Sequence, residues 1–167
     1  FTRPAKKALL GVGDDAALIA YNVTADLAIS TDTLVVGQHF FPDTDPCQLG
    51  HKALAVNLSD MAAMGAAPRW LTLAITLPKN EPQSNSAWLQ AFAHGFFALA
   101  DHYQVELIGG NTTSGPLNIC VQVIGEVARN KALKRSNAQP NDDIWVSGQL
   151  GNAALALAHL KQQLVLN

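Results

Sequence analysis

The sequence predicts an α+β domain, or an α/β one with antiparallel pairing, and three observations lead there. Apolar and β-branched runs of strand length alternate with helical stretches, some runs follow one another across turn residues alone, and two long segments carry helix start and stop signals. The 167 residues suffice for one domain with a real core and are too few for two full ones. Apolar residues make up 49% and charged residues 14%, a globular composition.

The elements follow in order. Leu9–Val12 and Ala16–Tyr21 are short apolar runs broken by Gly13-Asp14-Asp15, which predicts two strands or a strand and a tight turn. Leu27–Val36 reads as a strand interrupted by Ser30-Thr31-Asp32-Thr33. Asp45 followed by Pro46 is a side-chain cap with proline at the first helical position, so a helix should run to Met64 and stop at Gly65. Trp70–Leu77 is a strand ended by Pro78. Residues 79–86 are polar, and Ser86 can cap a second helix reaching Tyr103. Val105–Ile108 is a strand ending in Gly109-Gly110, Leu117–Ala128 a longer one, and Ile144–Ser147 a short one after the turn at Pro140. A last helix starts near Asn152 and still runs at Asn167; its open Leu-Val-Leu end predicts a longer protein.

Charge and composition exclude several roles. Eleven Lys and Arg against 13 Asp and Glu give a net charge of −2, which argues against a nucleic-acid binder. No apolar run reaches the roughly 18–20 residues of a membrane span. The first residues have no signal-peptide core, and Cys47 and Cys120 have neither disulfide-framework nor zinc spacing, so a reduced cytoplasmic location is expected. The histidines are scattered, and no Ser-His-Asp or Cys-His set suggests itself.

Ten of the acidic residues are Asp, and four of them, Asp14, Asp15, Asp32 and Asp60, are not readily explained as turn formers. At 100° per residue, Leu49, Ala53, Val56 and Met64 fall within roughly 40° of Asp60, which predicts a carboxylate centred on an apolar face. Such a group needs a cation, a hydrogen-bond network or a metal; a structural pair and a metal site remain equally open, with Asn57 one turn away as a possible partner. Gly11-Val12-Gly13-Asp14-Asp15 begins like a dinucleotide fingerprint, but no third glycine arrives and two carboxylates would repel a pyrophosphate. It reads instead as a tight turn presenting a carboxylate. Ser30-Thr31-Asp32 supplies oxygen donors to both faces of a strand, or merely a polar strand end. Gly109-Gly110-Asn111-Thr112-Thr113 lets a backbone approach a ligand, or simply turns; no P-loop is present. Together Asp15, Asp32, Asp60 and Asn111 are hard oxygen donors on separate elements, a set suited to Mg²⁺ shared with phosphates.

GVGDDAALI, AISTDTLVVGQHF, HKALAVNLSDMAAMGAAPRWLTLAITLP and LIGGNTTSGPL, in this order, resemble the thiamine-monophosphate kinase family, within the superfamily of aminoimidazole-ribonucleotide synthetase-like, ATP-using enzymes. The likeness runs from Leu9 to the end of the chain. It implies a ferredoxin-like α+β N-terminal domain, with a mixed sheet and helices on one face, that forms a homodimer. It implies transfer of phosphate from ATP to thiamine monophosphate, giving thiamine diphosphate, with several Mg²⁺ ions. Asp15, Ser30, Thr31, Asp32 and Asp60 are then magnesium ligands, Gly110 and Asn111 meet ATP and, through Asn111, a metal, Arg135 meets ATP phosphate, and His39 touches the thiamine phosphate. The resemblance assigns no catalytic acid or base, and no nucleic-acid or membrane partner.

Two departures from the family stand out. Asn111 replaces the usual Asp of G-G-D-T-T, which keeps a carbonyl oxygen but loses a charge. The family's protein is also about twice as long, so residues 1–150 correspond to its N-terminal ATP- and metal-binding domain and 151–167 to the start of a second one. A sister synthetase of the superfamily, or a non-catalytic nucleotide-binding or dimerisation module, are the competing readings.

Overall fold

The computed structural model describes residues 3–12, 15–20, 22–79 and 85–165; Gly13, Asp14, Tyr21 and most of the polar link after Pro78 lie outside them. Two compact units divide at Lys134 and Arg135. In the first, β1 (Ala25–Val35), α1 (Pro46–Ala63), β2 (Ala67–Leu77), α2 (Ser86–His102), β3 (Glu106–Ser114) and β4 (Asn118–Ala128) follow one another. The four strands form one mixed sheet in the order β1-β4-β2-β3, with β4 antiparallel to both neighbours and β2 parallel to β3. The α+β class, the mixed sheet and the helices on one face are as the sequence predicts. Within that class the chain runs β-α-β-α-β-β, so both helices come before the last two strands, whereas the ferredoxin-like arrangement is β-α-β-β-α-β.

α1 follows its sequence signals closely. The Asp45 carboxylate accepts from the Gln48 N–H at 2.9 Å, and Pro46 occupies the first turn. At the far end Gly65 takes φ +66°, while the Gly65 and Ala66 N–H groups reach back to Ala62 and Met61, a Schellman closure. α2 is capped by Asn85, one residue before the expected Ser86; its side chain accepts from Trp88 N at 2.7 Å.

The core lies between the sheet and the helices. β4 alternates strictly, burying Ile119, Val121, Val123 and Val127 on the helical side. α2 contributes a ladder of Trp88, Phe92 and Phe96, stacked at 5.4 and 6.0 Å, with Phe97 edge-on to Phe96. Fully burying each such ring stabilises the fold by about 1.5–3 kcal/mol. The two helices touch backbone to backbone. A Cβ on Gly50 would meet the Phe92 carbonyl oxygen at 2.1 Å, and one on Gly95 the Cys47 oxygen at 1.8 Å.

Several expectations are corrected. The apolar runs on either side of Gly13-Asp14-Asp15 do not form strands among the described residues; Leu10 and Leu18 make an isolated antiparallel bridge. Gly109 and Gly110 do not end β3, which continues through them to Ser114 because β2 offers a parallel partner. Gly110, at φ +151°, lies so near Leu73 that a Cβ would fall 2.0 Å from its carbonyl oxygen. Ile144–Ser147 is not a strand, since among the described residues none pairs with it, and Ile144 and Trp145 are 93% and 89% exposed. The final helix, α3 (Asn152–Leu160), stops early because Gln162 turns left-handed at φ +56° and closes it.

Helix propensity alone makes Gly50→Ala stabilising by about 1 kcal/mol. The Phe92 contact at Gly50 and the Cys47 contact at Gly95 reverse that sign: Gly50→Ala and Gly95→Ala should each cost about 3 kcal/mol or abolish folding, read as a lowered urea midpoint.

Candidate functional site

Strand register sorts the site residues by face. Ser30, Asp32 and Leu34 pair with Val123, Val121 and Ile119, so they face the helices, while Ile29, Thr31 and Thr33 face the opposite side. From α1, Asp60 reaches this row, and the Ser30 hydroxyl donates to its Oδ2 at 2.5 Å. Asp32, half-buried, is two residues along the same face and has no hydrogen-bond or ion-pair partner among the described residues. The ion pairs there join Arg3 to Asp101, Arg69 to Glu126 and Arg129 to Asp26, leaving Asp32 and Asp60 without a lysine or arginine. The seam between β1 and α1 is thus a hydroxyl between uncompensated carboxylates.

Asp60 gets there by a different route from the expected one. It is exposed and not at the centre of the apolar face. The buried stripe of α1 runs through Leu49, Ala53, Leu54, Asn57, Leu58 and Met61, and Asp60 lies about 75° round from its centre. Val56 is only half-buried and Met64 is exposed, because the stripe follows the contacts with both the sheet and α2. Asn57 occupies the centre instead and is fully buried. Its Nδ2 donates to the Ala53 carbonyl at 3.3 Å and its Oδ1 has no partner, so Asp60 is bonded to Ser30 and not to Asn57.

The remaining predicted residues are dispersed. Thr31 points to the helix-free face, where its hydroxyl accepts from Gln122 Nε2 at 3.2 Å. Asp15 is on the exposed loop closed by the Leu10–Leu18 bridge. Gly110 and Asn111 are on β3, at the opposite sheet edge from β1, and three strand spacings put about 14 Å between the edges. Asn111 also faces away from the helices, since it pairs in register with Ala74. Arg135 belongs to the second unit, on the 3-10 turn Arg135–Asn137. Among the described residues no three His, Cys, Asp or Glu side chains gather as a metal-holding group; what does gather is the mixed set of Ser30 and Asp60 beside Asp32.

His39 is exposed on the loop after β1. The Val35 N–H donates to its Nδ1 at 3.0 Å, so the neutral ring carries its proton on Nε2 as a donor. Lys52 of α1 donates to the His39 carbonyl oxygen at 2.5 Å, an anchor that no sequence signal marks. Beside Gly110 and Asn111 a cavity of about 370 Å³ is lined by Val12, Leu73, Leu107 and Thr112 as well. Val12 reaches that wall from the N-terminal loop, which sequence reasoning did not reveal.

The domain is thus a mixed-sheet α+β unit with oxygen donors on one strand–helix seam and a glycine-opened strand beside a cavity. The chain belongs to a known family: residues 13–127 match the model for AIR synthase related protein, N-terminal domain. The thiamine-monophosphate kinase of Salmonella typhimurium is 54% identical over 155 residues, covering 92% of this chain and 46% of that protein. The crystal structure of the thiamine-monophosphate kinase from Stenotrophomonas maltophilia K279a is 51% identical with a TM-score of 0.85, covering 96% of this chain and 49% of that one. A structure of AaThiL complexed with AMPPCP and TMP is 30% identical with a TM-score of 0.77, covering 93% and 49%. The chain spans about half the length of the curated relatives it matches.

Because Asp60 is exposed, Asp60→Asn should change stability by less than about 1 kcal/mol. A double-mutant cycle of Ser30→Ala with Asp60→Asn should give a coupling of about 1 kcal/mol in chemical denaturation, the value of one hydrogen bond to a solvated charge.

Proposed function

We propose that this chain is the N-terminal, nucleotide- and magnesium-binding part of a kinase that phosphorylates thiamine monophosphate to thiamine diphosphate with ATP. One observation carries the reading: 54% identity with a thiamine-monophosphate kinase across 92% of the chain. The relative bound to AMPPCP and TMP supports the choice of ATP and thiamine monophosphate as substrates.

The donor chemistry fits magnesium. Ser30, Asp32 and Asp60 offer only oxygen, and among the described residues the carboxylates have no competing cation, which suits a hard divalent ion. We assign Asp15, Ser30, Thr31, Asp32 and Asp60 to holding Mg²⁺, with Asn111 adding a carbonyl oxygen on β3. Magnesium, when bound, relieves the repulsion between two polyanions and helps align them for in-line transfer. The acceptor is a phosphate oxygen already anionic near neutral pH, so no side chain here needs to act as a strong base. Gly110 lets the β3 backbone come close to ATP, Arg135 binds an ATP phosphate, and the Nε2–H of His39 donates to the thiamine phosphate.

The wider assignments belong to the same proposal. The helix-free face exposes Leu27 and Ile29 at 43% and 60%, which supports burial against a second copy in a homodimer. α3 buries none of its residues, which supports residues from 151 onward as the opening of a second domain. No helix among the described residues is long and apolar enough to cross a membrane, and Cys47 and Cys120 are both free, which supports a cytoplasmic enzyme.

The full-length protein incubated with ATP, Mg²⁺ and thiamine monophosphate should yield thiamine diphosphate; a different phosphorylated product, or none, overturns the reading. Asp60→Asn should weaken magnesium-dependent AMPPCP binding by about 100-fold in calorimetry, and Asn111→Asp should tighten it. Ile29→Asp should convert the dimer to monomer in light scattering.

A further inference from the structure

The segment from Arg3 to Ala8 has almost no regular structure, yet it is fastened at four points to one place. Arg3 lies 3.8 Å above the Phe97 ring and pairs with Asp101 at 2.7 Å. The Lys7 ammonium donates at 2.6 Å to the carbonyl of Gln104, the left-handed residue just after α2. The fourth fastening is unusual. Three consecutive backbone N–H groups converge on the carboxylate of Glu106, the first residue of β3: Lys6 on Oε1, and Lys7 and Ala8 on Oε2 at 2.7 and 3.1 Å. Only a carboxylate offers two charged oxygens with lone pairs enough for three donors from one side.

Immediately beyond Ala8 the chain becomes part of the candidate site. Leu9 and Leu10 donate to the Leu18 carbonyl at 2.7 and 3.2 Å, which closes the loop that contains Asp15. Val12, on the same loop, forms a wall of the cavity beside Gly110 and Asn111. A loop without strand or helix of its own keeps its place only if its base is held. Glu106 is the part of that base nearest the loop.

We propose that Glu106 is a positioning residue: by gathering the Lys6, Lys7 and Ala8 amides it fixes the base of the loop bearing Val12 and Asp15 against the Gly110–Asn111 cavity, and so sets nucleotide affinity without touching nucleotide. The inference rests on the kinase reading given above. It separates Glu106 from a purely structural carboxylate, because loosening the strap should act on one substrate and not on the other. A loop that visits its binding-competent position only part of the time lowers apparent affinity by that fraction.

The test uses the full-length protein with Glu106→Gln, which keeps the side-chain shape but sets an –NH₂ donor against backbone donors. Trypsin should cleave after Lys6 and Lys7 about tenfold faster than in the wild type, as expected when local opening becomes easier. KM for Mg·ATP should rise about tenfold, the cost of roughly one lost charge-assisted hydrogen bond, while kcat and KM for thiamine monophosphate change by less than about twofold. Glu106→Asp, which keeps the charge, should recover part of the nucleotide affinity. Unchanged cleavage overturns the fastening; faster cleavage with an unchanged KM for Mg·ATP overturns the positioning role. If the wild type itself binds no Mg·AMPPCP, the kinase reading fails and the positioning claim falls with it, a result recognisable because it precedes any mutation.

Discussion

The backbone contact between α1 and α2 governs how everything else in the first unit is presented. Gly50 against Phe92 and Gly95 against Cys47 leave no room for a side chain, so the two helices can cross in only one roll and at one depth. That roll turns Leu54, Asn57 and Met61 inward and leaves Asp60 on the flank, where Ser30 of β1 meets it. Had α1 rotated to bury Asp60, its carboxylate would have lost water without a cation to replace it, a cost of several kcal/mol. The fold instead buries an amide, Asn57, whose donor is satisfied within the helix.

The sheet acts as a spacer between two groups of donors. Ser30, Asp32 and Asp60 form one group on the helical side of β1, and Gly110 and Asn111 stand on the opposite edge, with Asn111 on the opposite face. Neither group alone has the ligands to surround a small divalent ion, which asks for near-octahedral oxygen coordination. Carboxylates set apart in this way remain solvated and cost the fold little.

Much of the fold was legible because local chemistry and tertiary structure agree. Asp45-Pro46 and Gly65 delimit α1 by capping alone, and the alternation of β4 shows its buried face. Legibility failed where a distant partner decides. Gly109-Gly110 resembles a stop signal, yet β2 carries β3 straight through it; Ile144–Ser147 has strand composition and no strand to join. The helical wheel puts Asp60 too far inward, since a wheel drawn on one helix does not contain α2. The oxygen-donor chemistry was readable from residue types, the Ser30–Asp60 contact was not, and the role of Glu106 depends on amides nearly a hundred residues away in sequence.

The order of the strands also has a temporal side. β4 is the last strand made, yet it lies between β1 and β2 and is the only partner β1 has in the sheet. As the chain leaves the ribosome, β2 and β3 can pair around α2, while β1 must wait as an unpaired, partly apolar ribbon until Asn118–Ala128 emerges. Closure of the sheet is therefore a late, long-range event, and a nascent chain halted before that point holds Ser30 and Asp32 on a strand that has no neighbour in the sheet.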